Sequence, residues 1–310
     1  MQVTIVGAGV VGLTTAVVLQ REGHDVRVVA QKPGLEATSG AAGAIWMPVR
    51  ITPGGREFGW SKRSYDVLTQ LAATTPAAGV DILTAFEVVE DLQRPWWADA
   101  VEGLELTAGA TIYPCDRTWT FKSPRVEPAI HIPWLESQVS RPIEWRRVER
   151  LDNLPGDVVV NCTGLGARRL CDDRELVGVF GQTAIVRPGT LRMDTFIGDE
   201  RDQDAIFYAI PRRDEVVLGG CRIEMPGIDE VPAPCDDLRA AFLARARAAG
   251  YEPGELLRDR GGLRPVRPTI RVEREGRVVH NYGHGGAGYT LAWGCAEEVA
   301  ALLRGCESTT

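Results

Sequence analysis

The chain has 310 residues, 44% of them hydrophobic and 25% charged, the balance of a globular protein of about two domains and not of a disordered, collagenous or disulfide-dense one. Thirty-five lysines and arginines against 42 acids give a net charge of -7 with both signs dispersed, so there is no basic footprint for nucleic acid or an anionic membrane. No apolar run approaches the roughly 18 residues of a membrane span, and the glycine-interrupted start at Val3 has no basic segment before it, which predicts a cytoplasmic protein without a signal peptide.

In chain order, residues 3–6 are an apolar run, three glycines follow, apolar positions then recur at Leu13, Ala16, Val17 and Leu19, and Gly23 closes the segment. This is strand, tight turn, helix and C-cap. Residues 26–30 read as a second buried strand, so the N-terminus opens a doubly wound, Rossmann-like α/β sheet. Gly7, Gly9 and Gly12 fit G-x-G-x-x-G: the first permits the turn, the second lets a pyrophosphate reach the backbone, and the third lets helix pack close to strand. The acid that usually follows the second strand and bonds the adenosine ribose is replaced by Gln31, a neutral partner, and the adjacent Lys32 would suit a phosphorylated ribose as in NADP.

Residues 50–145 shift to turn clusters, six tryptophans and β-type runs such as 110–113, with a helical stretch near 61–73, and read as an inserted antiparallel domain. Residues 157–162 are a near-continuous apolar strand that returns to the parallel sheet. A β-rich stretch over 182–220, a helix over 238–249 and a last helix over about 294–304 complete the chain, with no internal repeat. Seven cysteines without a CxxC pair are expected to be reduced thiols, and four histidines without HExxH offer no zinc site. A GxSxG elbow is lacking too, so hydrolysis has no sequence support.

The segment 278–296, VVHNYGHGGAGYTLAWGCA, resembles the signature of the D-amino-acid oxidase family over its whole length, and GAGVVGL, AAGAIW (41–46) and VVNCTGLGAR (159–168) agree in the family's order. GGLRPVRPTIRVER (261–274) is similar to the family's substrate-arginine block. The resemblance implies non-covalent FAD, held by residues 1–50, 140–182 and 261–310, under an antiparallel substrate domain of 51–139 and 183–260. The implied FAD contacts are Gly7, Gly9, Val10, Val11, Gly12, Gln31, Lys32, Thr38, Ser39, Ala42, Gly43, Ala44, Ile45, Cys162, Thr163, Gly164, Gly285, Gly286, Gly288, Tyr289 and Thr290.

A Pro-framed arginine in Arg264-Pro265-Val266-Arg267-Pro268 is a planar fork suited to a substrate carboxylate, and the family pattern puts that role on the second arginine, Arg267; the alternative is a salt bridge to an acid such as Asp259 or Glu273. Tyr208 matches the family tyrosine that also contacts the carboxylate, while residues 204–207 hold no counterpart of a second lid tyrosine. The carbonyl of Gly286 would accept a hydrogen bond from the substrate amine, and His284 reads as structural or flavin-adjacent, because hydride transfer from Cα to flavin N5 requires a neutral amine and no protein base. The implied reaction converts a D-amino acid and dioxygen into a 2-oxo acid, ammonia and hydrogen peroxide. Arg222 stands where an acid-selecting arginine would stand, with Glu224 or Asp229 available to neutralise it; neutral substrates are the expectation and D-Asp or D-Glu the alternative. A glycine or sarcosine oxidase and a non-catalytic NAD(P)-binding redox sensor are the other readings. The expected partners are small molecules, with a homodimer the one macromolecular association admitted.

Overall fold

A computed structural model describes residues 1–48, 51, 55–108, 117–202 and 205–305. The N-terminal pattern folds as its periodicity requires, into β1 (Gln2–Val6), α1 (Val10–Arg21) and β2 (Asp25–Ala30). There follow α2 (Thr38–Ala41), α3 (Arg56–Thr74), β3 (Val80–Val88), β4 (Glu105–Ala108), β5 (Arg117–Val126), α4 (Pro128–Ser137), β6 (Glu144–Trp145) and β7 (Val158–Asn161). The second half comprises α5 (Ala167–Leu170), β8 (Val177–Val186), β9 (Thr195–Asp199), β10 (Phe207–Pro211), β11 (Val216–Gly219), β12 (Ile223–Met225), α6 (Asp236–Ala248), β13 (Leu256–Glu275), β14 (Val278–His284) and α7 (Gly288–Arg304). The β-type run expected at 110–113 lies outside the described residues.

Among the described residues the strands join into one 14-stranded sheet, in the order β4-β5-β3-β9-β10-β11-β8-β13-β14-β7-β1-β2-β6, with β12 on β8. Its parallel part is β14-β7-β1-β2-β6. The three valines of β7 are buried on both faces, the reason that segment reads as an unbroken apolar run. The other part is antiparallel apart from the β3–β9 pair. The 20-residue β13 pairs antiparallel with both β8 and β14 and carries the sheet from one part into the other. The fold is mixed α/β.

On the parallel part, α1 is apolar nearly all round because the sheet covers one side and α7 another. In turn α3 packs on α7 where Gly294 leaves room for the Trp60 backbone; a Cβ there would lie 2.7 Å from the Trp60 carbonyl carbon. Three aromatic residues, Tyr65, Trp97 and Phe121, meet around Trp46 with ring centroids 5.0 to 6.4 Å from it. Such pairs contribute roughly 0.5–1.5 kcal/mol each beyond the area they bury. No helix of the described residues is long and apolar enough to cross a membrane, and the five cysteines among them are unpaired.

One buried histidine gives the fold an acid limit. His131, on α4, donates from Nδ1 to the Ala78 carbonyl at 2.7 Å and its Nε2 has no partner among the described residues, so a second proton would find no acceptor there; burial lowers its pKa from 6.5 to about 4. Between these values the unfolded chain binds a proton that the folded chain refuses, so stability rises with pH through this window and falls on acidification, by up to about 1.4 kcal/mol per pH unit. His131→Gln should therefore lose less Tm between pH 7 and pH 5 than the parent; an identical acid limb would contradict this account.

Candidate active site

A cleft of about 1510 Å³ runs from the β1–α1 turn, past the end of β7, to the faces of β8, β10 and β13. At its first end Gly7 adopts φ +116°, and a Cβ on it would stand 2.9 Å from the Cys162 carbonyl carbon and closer still to the oxygen. Gly12 is set back from the cleft wall: its Cβ would meet the Gly7 carbonyl group, so its lack of a side chain serves helix-to-strand packing. The amino end of α1 has no side-chain cap from its N-cap residue Gly9 and no acid in its first turn, and Val10 and Val11 line the cleft. Ser39 Oγ accepts from the Val10 N–H at 3.0 Å, and the helix end presents backbone donors and positive dipole to the cleft.

Gln31 and Lys32 are exposed on the wall here, with Cys162, Thr163 and Gly164 across from them at the end of β7. Asn161 fixes that second loop by accepting at Oδ1 from Thr163 N at 3.2 Å and Thr163 Oγ1 at 2.7 Å. Arg146, Arg147 and Val148 also border this end, and nothing in their sequence pattern marked them.

The middle of the cleft is walled by residues 38–47. Thr38 Oγ1 donates to the Leu263 carbonyl at 2.8 Å, and Tyr289 donates its hydroxyl to the Ser39 carbonyl at 3.0 Å. Ala44 holds φ +52°, a left-handed conformation that costs a non-glycine residue of order 1 kcal/mol. A buried arginine that the sequence did not single out, Arg212, secures this stretch. Its guanidinium donates to the carbonyls of Gly43, Ala42 and Val126, and Glu127 lies 3.5 Å from Nε. Burial lowers the Arg212 pKa while Glu127 opposes that effect.

Corrections appear in the last glycine-rich block. The final helix begins at Gly288, six residues earlier than its periodicity indicated, so Gly288, Tyr289 and Thr290 form its first turn behind a non-helical Gly283–Ala287 run. Thr290 is buried away from the cleft, its hydroxyl bonding Met47 N at 3.2 Å and Met47 O at 3.3 Å. His284 does line the cleft: it is buried, burial lowers its pKa to about 4, and Nε2 has no partner among the described residues.

At the far end, Tyr208 rises from β10 and Arg264 from β13. Burial raises the Tyr208 pKa, and the guanidinium of Arg264 beside its hydroxyl pulls the other way. Arg264 Nη1 donates to the Cys221 carbonyl at 3.0 Å, and Gly286 is close enough that a Cβ on it would stand 3.6 Å from Arg264 Cδ. Arg267 is placed differently from the expectation. It stands three residues from Arg264 along one strand, and residues an odd number apart face opposite sides of a sheet. Its Nε donates to Asp173 at 2.9 Å, Nη1 to the Thr269 carbonyl at 2.8 Å and Nη2 to Glu175, so although it borders the cleft its guanidinium is committed elsewhere. Burial alone would raise the Asp173 carboxyl, but Tyr282 and Arg267 hold it below its ordinary value. The acids named as its alternative partners are taken by others, Asp259 by Arg239 at 2.6 Å and Glu273 by Arg271 at 2.6 Å. Arg222 lines the cleft with its side chain 35% exposed and 3.9 Å from Glu224. Met47, Ile51, Phe196 and Ile210 supply apolar lining to the cleft, Ile210 meeting Tyr208 at Gly43, and the buried carboxylate Glu87 lies beside Gly198.

The glycine turn that a side chain would fill, the helix amino end and the unpartnered His284 Nε2 fit an extended dinucleotide with a polar ring system, as FAD is. Residues 2–128 and 135–302 match the family described as FAD dependent oxidoreductase. The chain is 37% identical over 318 residues to a D-amino-acid oxidase of Rubrobacter xylanophilus, covering 96% of this chain and 94% of that one. It is 38% identical over 314 residues to a D-amino-acid oxidase of Streptomyces coelicolor, covering 97% and 96%. In structure it resembles glycine oxidase from Bacillus cereus, with a TM-score of 0.77 over 98% of this chain and 95% of that one; at 19% identity this likeness bears on the fold alone. A full-length match to family and relatives, on a fold whose cleft suits the cofactor, means that the chain belongs to the D-amino-acid oxidase family of FAD dependent oxidoreductases.

Proposed function

We propose that the protein oxidises D-amino acids, chiefly neutral ones, to 2-oxo acids and ammonia, passing the electrons to dioxygen as hydrogen peroxide. The observation that carries this reading is the convergence of Arg264, Tyr208 and Gly286 at the end of the dinucleotide cleft. Arg264 offers a planar fork to the substrate carboxylate and Tyr208 a hydroxyl donor, while the Gly286 carbonyl accepts from the substrate amine. With carboxylate and amine fixed, only one enantiomer can point its Cα–H along the cleft and its side chain at the apolar wall. FAD, held by the β1–α1 turn, residues 38–45 and the Gly285–Tyr289 backbone, would accept the hydride from Cα.

The nearby guanidinium and the low dielectric of the site both favour a neutral substrate amine, which hydride loss requires. No base is assigned: burial lowers the His284 pKa to about 4, which makes its ring a poor proton acceptor. The apolar wall and the position of Arg222 beside Glu224 favour neutral side chains over acidic ones. The unpaired cysteines among the described residues accord with action in the cytoplasm.

Peroxide and ammonia release with D-Ala, D-Val, D-Met, D-Asp, D-Glu and L-Val tests the reading. Expected are turnover of the three neutral D-substrates, weaker turnover of the acidic pair and none of L-Val. A kcat/KM for D-Asp or D-Glu far above the rest, abolished in Arg222→Ala, would make the protein an acidic D-amino-acid oxidase and Arg222 its selecting residue.

A further inference from the structure

We infer that Gly181 and Gly219 are positioning residues, bare patches of sheet on which the guanidinium of Arg264 and the ring of Tyr208 are seated. This inference deepens the proposed function and rests on the carboxylate-binding role given there to Arg264 and Tyr208.

Strand pairing sets up the arrangement. Tyr208 pairs with Gly219, Gly219 with Thr183 and Thr183 with Arg260, so one row crosses β10, β11, β8 and β13. Gly181 lies two residues before Thr183 on the same face and pairs with Gly262, and Arg264 lies two residues further along β13. A Cβ on Gly181 would stand 2.5 Å from Arg264 Nη1 and closer still to Nη2 and Cζ. One on Gly219 would stand 2.6 Å from Tyr208 Cε2 and closer still to Cζ and the hydroxyl. In both cases the three nearest atoms all belong to the functional end of one side chain, with no backbone among them.

At Gly7 in the cleft and Gly12 behind its wall the nearest atoms are backbone, and there the demand is on the fold itself; Gly198 also faces side chains, but those of Glu87 and Phe196. Strand interiors disfavour glycine, and a close approach by another group is one reason for it to occur there. Here the approaching groups are the two side chains that grip the carboxylate. An alanine at either position would evict the seated group and leave the strand pairing intact, because a methyl group is compatible with both strands.

Double-mutant cycles on the FAD-loaded enzyme test this. Gly181→Ala and Gly219→Ala should each raise KM for D-Val by about 10- to 100-fold, the scale on which a displacement near 1 Å at a site acts. The Kd of propanoate, read from the flavin spectrum, should rise in parallel, while flavin content and Tm stay near the parent. Gly59→Ala, at an exposed position of α3 where no described residue would lie within 4 Å of the added Cβ, is the control for an added methyl. In an Arg264→Ala background Gly181→Ala should add nothing to KM, because the displaced guanidinium is gone, and in a Tyr208→Phe background the effect of Gly219→Ala on KM should shrink, because the carboxylate-binding hydroxyl is gone although the ring remains. Additive effects in both cycles, or unchanged KM and propanoate Kd in both single variants, would overturn the inference. Should one variant not fold, the other cycle decides alone. Absence of D-amino-acid turnover in the parent would instead refute the proposed function, and propanoate binding would still report whether the two glycines seat a carboxylate site.

Discussion

Arg264→Ala should lower kcat/KM for neutral D-amino acids by at least about 100-fold, mostly through KM, with flavin content unchanged. The basis is the loss of one member of a desolvated charge pair, which costs about 3 kcal/mol or more. The guanidinium hydrogen-bonds the Cys221 carbonyl and the Tyr208 hydroxyl, and it lines the cleft. Arg267→Ala should behave in the opposite way. It removes the cation from Asp173, a residue 8% exposed, and leaves that carboxylate with only neutral donors, the Tyr282 hydroxyl at 2.7 Å and the Glu175 N–H at 3.1 Å. Unpairing it should cost about 1.5–3 kcal/mol of stability, seen in Tm, with KM near the parent value. Steady-state kinetics and thermal melts of the two variants decide between them, and a substrate defect confined to Arg267→Ala would restore the second arginine to the carboxylate.

The second large effect is expected at Arg212, which does not itself line the cleft. Arg212→Met would strip the donors from the Gly43, Ala42 and Val126 carbonyls and leave Glu127, whose side chain is 13% exposed, without its cation. A loss of about 3–5 kcal/mol follows from breaking a buried pair on one side. The wall it anchors includes Ala44 at φ +52°, a conformation that persists only while its surroundings hold it, so the flavin-to-protein ratio after purification should also fall. Arg212→Lys keeps the charge and loses the fork, and should lie between parent and Met in both readouts. Full flavin occupancy and an unchanged melt for Arg212→Met would show that the 42–45 segment holds itself.

These two arginines also mark where the sequence ceases to be legible. The glycine turn could be read because backbone geometry alone dictates residue type there: Gly7 at φ +116° and Gly12 against the Gly7 carbonyl admit no side chain. The α/β class followed from the same unit and from the apolar run that became β7. Arg264 and Arg267 have the same flanking prolines and differ only in which side of β13 they face. Strand parity separates them, but only once β13 is known to continue through Pro265 to the irregularity between Val266 and Arg271. Arg212 was invisible because its role comes from three carbonyls and an acid remote in sequence, none of which leaves a local pattern. The start of α7 was hidden by Gly288 and Gly294, whose low helix propensity is outweighed by close packing on α1 and α3.

Anaerobic mixing of the purified protein with D-Val and, separately, L-Val, followed by absorbance near the flavin bands, tests the central claim most directly. A yellow protein that D-Val bleaches, that L-Val leaves oxidised, and that recovers its colour with one peroxide formed per turnover when oxygen is admitted is the result expected. A protein that binds no flavin, or a flavin that neither neutral nor acidic D-amino acids reduce, would contradict it.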